Sequence, residues 1–252
     1  MRSSPAPYRG AAAAALAIAL VLVTRAASGA VDIACVSVIG DKLTTIERES
    51  TSARNATKGR GVAKAEPGHA RDKLAASAAM SAITAKKPNA IVATVDVSGP
   101  GSEPFFDTPL ASINDGVASA LYGQLAAGVA KQVEAKQVIV IAKLEFRHWS
   151  QPYILSGIGV FADPGPRDMA LNQETLSRRY IAPYVGAALL LFNADGKLAA
   201  AQPLAVHSMY RTEQGKQIPA TAWQILSAEE LNGALNQLVV EGVGTAVARL
   251  PL

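Results

Sequence analysis

The chain of 252 residues sets 24 Lys and Arg against 20 Asp and Glu and holds one cysteine, Cys35. One thiol excludes an internal disulfide framework. Arg2, Arg9 and Arg25 all fall in the first 30 residues, which hold no acid, so the remaining 21 basic side chains face 20 acidic ones, and no basic nucleic-acid surface is expected.

In chain order, Arg2 and Arg9 come first and are followed by Ala11–Val23, 13 residues without a charge or a proline. That run is short for a membrane span and suits the apolar region of a Sec-type signal peptide, with Ser28-Gly29-Ala30 offering small residues for cleavage near Ala30. Residues 1–30 therefore read as a signal peptide and residues 31–252 as one domain, placed in the periplasm or secreted. No Arg-Arg pair suggests twin-arginine export. Asp32-Ile33-Ala34 departs from a lipobox, so Cys35 reads as a buried residue of the first strand. No later stretch reaches 18 uninterrupted apolar residues, and no stable span is expected after cleavage.

VDIACVSVIG (31–40) is rich in β-branched residues and reads as that first strand. Residues 41–70 carry many Thr, Ser and Gly among basic residues, which predicts a short strand extension and then a long flexible loop at about 41–70. Asp72 to Lys86 is Ala-rich and helix-forming, closed by Lys86-Lys87-Pro88. AIVATVDVSG (90–99) predicts a strand and PGSEPFFDTP (100–109) a loop. Ser112 with Asp115 resembles a capping box. Behind it Ile113, Val117, Leu121, Leu125, Val129 and Val133 recur every four residues and predict a helix with that stripe buried, while Gly116, Gly123 and Gly128 suggest close packing.

QVIVIAKLEF (137–146) and YILSGIGVFA (153–162) read as strands, antiparallel to each other if the short connection is a hairpin. Residues 163–182 read as a loop with one helical turn near Glu174–Arg179. Asp195-Gly196 between two apolar runs, 184–193 and 197–207, is a strong hairpin signal. A second capping box, Ser227 with Glu230, opens a final helix carrying Leu231, Leu235, Leu238, Val243 and Val247. The order predicts an α/β protein of the α+β type: a mixed, largely antiparallel sheet of about six strands with three main helices packed on it.

Motifs of common chemistry are missing: GxSxG, GxxxxGK[ST], HExxH and GxGxxG do not occur. Gly157-Ile158-Gly159 lies inside a strand, where glycines mark a bulge or close backbone approach. His69, His148 and His207 lie far apart without a paired ligand at short spacing, so neither a metal site nor a cofactor is expected. The stretch KLEFRHWSQP (143–152) concentrates functional residue types where a buried strand emerges from the core. The catalytic candidates are Asp96, Ser98 and His148, with His148 as a general base near the end of the strand before it. The binding candidates are Arg60, Phe105, Phe106, Arg147, Trp149 and Tyr153, because aromatic and arginine side chains in loops anchor partner surfaces.

From Asn114 onward the helix, AKQVIVIAKLEF, a hairpin strand, YVGAALLLFNADGKLAAAQPL and a C-terminal helix resemble the α/β domain of bacterial envelope lipoproteins. Examples of these are the curli-secretion protein and the activators of penicillin-binding proteins. ILSGIGVFADPG and RRYIAPYVGAALLLFNADGKL also resemble segments of exported proteobacterial proteins. The resemblance implies a binding or assembly role in the cell envelope, toward an envelope protein or a cell-wall component. The expected surface is the loops 41–70, 100–110 and 148–153. The alternatives are a hydrolase using Ser98 or Ser102, Asp96 and His148 or His207, and a small-molecule carrier.

Overall fold

The computed structural model describes residues 30–40, 42–48, 59–65, 69–97, 101–149, 153–164, 179–211 and 221–252. The apolar run after Ala30 becomes β1 (Ile33–Ser37), buried along its whole length at the centre of the molecule. It lies parallel to β4 (Val92–Val95) on one side and to β5 (Gln137–Lys143) on the other. Burial on both edges and both faces is what a continuous Val/Ile run satisfies and an alternating one does not. Cys35 sits in this strand, fully buried, and desolvation pushes its thiol up to about 12.

The longest strand, β9 (Tyr180–Asn193), organises the rest. Its residues 187–193 pair antiparallel with β5, and its residues 180–186 pair antiparallel with β8 (Gly157–Asp163). The opposite edge of β9 carries β10 (Leu198–His207) and the two-residue β11 (Tyr210–Arg211). A strand has only two edges, so β5 and β8 follow one another along the same edge. In the same way β2 (Lys42–Arg48) continues the line of β1 and runs parallel to β8, with β3 (Gly59–Ala65) antiparallel on its outer side. The result, among the described residues, is one mixed sheet of nine strands in two tiers. In the lower tier the order is β4, β1, β5, β9, β10; in the upper tier it is β3, β2, β8, β9, β11.

Helices cover the lower tier. One face packs on α1 (Ala70–Lys86) and α4 (Ala228–Arg249), through Ile83, Leu189, Leu235, Val239 and Val243. Lys86 ties the two helices together by donating to the carbonyls of Ala248 and Leu250. The other face packs on α3 (Gly116–Val133) and the short α2 (Glu103–Asp107). The Ser227–Glu230 capping box forms as expected, with Glu230 accepting from the Ser227 amide at 2.7 Å. Among the described residues no helix is long and apolar enough to cross a membrane.

The structure corrects several expectations. Among the described residues the sheet has nine strands rather than about six, while the three main helices expected, α1, α3 and α4, are present and joined by the five-residue α2. Two of the added strands, β2 and β3, lie within 41–70, where Thr- and Gly-rich sequence hides their pairing. The strands at 137–146 and 153–162 do not pair along their length. Only Phe146–Arg147 (β6) and Ile154–Leu155 (β7) meet, as a small separate ladder. Gly157, at φ +64°, then turns the chain so that β8 resumes the line that β5 left.

In α3 the N-cap is Asp115, whose side chain accepts from the amides of Val117 and Ala118, rather than Ser112. Of the expected stripe, Leu125 and Val129 are buried and Ile113, Leu121 and Val133 pack at the edge of the core; a spacing of four residues drifts by 40° per step round a helix of 3.6 residues per turn, and Val117 falls outside it. Val117 is 85% exposed, and the buried face is Ala118, Tyr122, Leu125, Ala126 and Val129. Gly123 does pack closely, because any side chain there would strike the carbonyl of Gly196 in the Asp-Gly turn.

Candidate functional site

The excursion between β5 and β8 carries most of the residues singled out in the sequence. Its inward pair, Phe146 and Leu155, anchors it: the Phe146 ring lies where a side chain on Gly186 would be, edge-on to Tyr184 at 5.8 Å. The His148 amide donates to the Tyr153 carbonyl at 2.9 Å and holds the two arms together. The outward pair is Arg147, which is exposed, and Ile154, which is 64% exposed.

Beneath the hairpin is a column of rings. His148 is buried, with its ring centroid 4.2 Å from Phe161 and 3.8 Å from Trp149. Trp149 in turn stacks on His207 at 3.7 Å and 4°, so the column runs from the sheet to the surface. Tyr153 and Tyr180 close on Phe161 at 5.5 and 6.0 Å. Glycine makes the room: Tyr184 lies across Gly159, where a β-carbon would overlap its phenol and the Thr44 carbonyl. At the end of the tier Arg48 donates to Asp163 at 2.9 Å.

Burial lowers the His148 pKa to about 4, with the nearby His207 adding to the effect and Asp163 opposing it. His207 keeps an exposed edge while Trp149 covers one ring face, and that partial desolvation lowers its pKa too. Both imidazoles are therefore neutral near pH 7. The Trp149 indole nitrogen and the hydroxyls of Tyr153 and Tyr184 are buried with no hydrogen-bond partner among the described residues.

The structure keeps the candidates Asp96 and His148 apart. Asp96 follows β4 on the face that packs on α1, and its partner is Lys73 at 3.4 Å. His148 lies on the opposite face, with Phe161 and Tyr184, so the sheet stands between them. Ser98 lies outside the described residues, and Ser102 precedes α2 without a side-chain cap. Among the described residues no three His, Cys, Asp or Glu side chains converge as metal ligands would.

The binding candidates divide. Arg147, Trp149 and Tyr153 share the hairpin. Arg60 lies on β3 opposite Glu47, and its side chain is outside the described residues. Phe105 and Phe106 are 1% and 4% exposed, a correction to their expected place on a partner surface. As inward residues of α2 they fill the core beside α3, where the Tyr122 hydroxyl donates to the Phe105 and Thr108 carbonyls.

Sequence reasoning missed Asp72, which is buried and accepts from Ser37 Oγ at 2.7 Å and from the amides of Ile39 and Gly40 at 2.7 and 3.0 Å. It fixes the step where β1 passes into β2. Nothing local signals this, since Asp in a first helical turn normally reads as dipole compensation. Phe161 and Tyr184 were also missed as ring partners, although Gly159 marked the approach. A scan against protein-family models and a search of curated proteins both find no match for this chain.

Proposed function

We propose that this chain is an exported, soluble binding or assembly protein of the bacterial cell envelope, and that it meets its partner through the hairpin Phe146–Leu155. The observation that carries the reading is the split between the two hairpin pairs. Leu155 is buried and Phe146 half-buried against the sheet while Arg147 and Ile154, paired on the opposite side, face outward. A large exposed apolar side chain beside an arginine, held on a rigid base, is how anchor residues are presented to a protein surface. The complementary partner surface is apolar with acidic groups, which favours an envelope protein over a cell-wall polymer. Export rests on residues 1–30, with cleavage near Ala30. The ring column weighs against the hydrolase reading, because a base with a pKa of about 4, sealed between Phe161 and Trp149, is a poor proton acceptor at neutral pH.

The test is site-specific photocrosslinking in cells, with the crosslinker in place of Ile154 and, as control, in place of Val240, which is 43% exposed on α4. The expected result is one dominant envelope adduct from position 154, absent from position 240 and lost in Arg147→Glu, on a chain whose N-terminus lies near Val31. Equal adducts from both positions, or a chain that keeps residues 1–30, would overturn the reading.

A further inference from the structure

We propose that the cleft at the carboxyl ends of β1 and β4 binds a small zwitterionic amino acid. It has a volume of about 320 Å³ and lies between the two strands and α1. In open α/β sheets, ligands sit outside the carboxyl ends of parallel strands, and β1 and β4 are parallel. The volume is at the lower end for small-molecule sites and suits one amino acid rather than a nucleotide. Small residues on α1, Ala76 and Ser77, leave the space open where larger ones would fill it.

The charges at the rim select the ligand. Lys73 and Asp96 face each other across it at 3.4 Å, with side chains 58% and 25% exposed. An exposed pair of that kind contributes little to stability, so exchanging it for ligand charges costs little. An α-ammonium set on Asp96 and an α-carboxylate set on Lys73 leave both protein charges paired. A purely cationic or purely anionic ligand strands one of them. The Ser37 and Ser77 hydroxyls add polar contacts, while Ala76 on α1 leaves room for a short aliphatic side chain.

Asp72 does not take the ligand's charge. Its Oδ1 already accepts from Ser37, Ile39 and Gly40, and this holds the floor of the cleft in place before anything binds. The cleft is on the opposite face of the sheet from the His148 column, so this inference stands apart from the hairpin reading and either can fail alone.

The experiment is titration calorimetry of the purified protein with L-alanine and L-valine, alongside N-acetylalanine, which lacks the ammonium, and alaninamide, which lacks the carboxylate. Saturable binding of one amino acid per chain is expected, weakened at least about tenfold by either modification. Asp96→Asn and Lys73→Met are each expected to weaken it by about tenfold or more with an unchanged melting curve. No saturable heat with either amino acid up to about 10 mM overturns the proposal. So does equal binding of the blocked forms, or affinity unmoved by both substitutions.

Discussion

The two tiers share strand β9 yet are finished in different ways. Below, residues 187–193 present Ala188, Leu190 and Phe192 to α3, and Ala187, Leu189 and Leu191 to α1 and α4. Above, residues 180–186 present Tyr180, Ala182 and Tyr184 to a hairpin and a column of rings. The other face of this tier, with Ile158, Val160, Ile181 and Val185, joins the cluster beneath α1 and α4. A helix brings a whole apolar stripe and satisfies its own backbone. A short hairpin brings few side chains, so the face it covers depends on large rings, which bury more area each but carry polar atoms with them. The buried Trp149, Tyr153 and Tyr184 polar atoms are the cost of that choice. The upper tier should open locally at lower free energy than the lower one.

The largest effect is expected where the tiers join. Asp72→Ala leaves the Ser37 hydroxyl and two buried amides without their acceptor and should cost about 4 kcal/mol, read as a lower urea midpoint. A midpoint unchanged within error would mean that β1 and β2 are not joined through this carboxylate. Next, Gly159→Ala forces a β-carbon into the Tyr184 phenol and the Thr44 carbonyl and should cost about 2–3 kcal/mol. Hydrogen exchange should speed up first in β8 and the hairpin; a uniform rise across both tiers would erase the distinction drawn above.

Acid sharpens the comparison. With a folded pKa of about 4 against an ordinary 6.5, His148 takes its proton more readily in the unfolded chain. The stability that neutral His148 contributes is therefore full above about pH 6.5 and is lost as the pH drops toward 4, roughly 3 kcal/mol in all. The His148 amide, bonded to Tyr153, should lose protection before those of β1 and β5. His148→Phe should flatten this acid limb; if the limb persists unchanged, another group causes it. The smallest effect has the opposite sign: Gly244→Ala in α4, with open space around the new β-carbon, should stabilise by roughly 0.5 kcal/mol in a melting experiment.

The lower tier was largely legible. Long apolar runs marked β1 and β5, the Asp-Gly turn placed β9 beside β10, and Ser227 with Glu230 placed the last helix. The upper tier was less so: 153–162 marked the strand that holds β8, but β2 and β3 are rich in Thr, Gly and charged residues and the partners lie far apart in sequence. Leu43 to Glu47 pair with Ile158 to Ala162, and no local pattern announces a parallel partner more than a hundred residues away. The site behaved likewise. His148, Trp149 and Tyr153 are neighbours in sequence and were named together, whereas Phe161 and His207 join them only through folding. Lys73 and Asp96 meet because α1 packs beside β4, which spacing along the chain does not reveal.

The position of β9 also sets an order of events. The unit β1, α1, β4, α3, β5 is complete by residue 143, but one edge of β5 has no neighbour until residues 187–193 arrive. A chain delivered N-terminus first therefore spends that interval with a bare, strongly apolar strand edge, the kind of surface that pairs with a neighbouring chain. Whatever handles the nascent polypeptide has to shield β5 until the last third has emerged, and a truncation before Tyr180 should aggregate rather than fold.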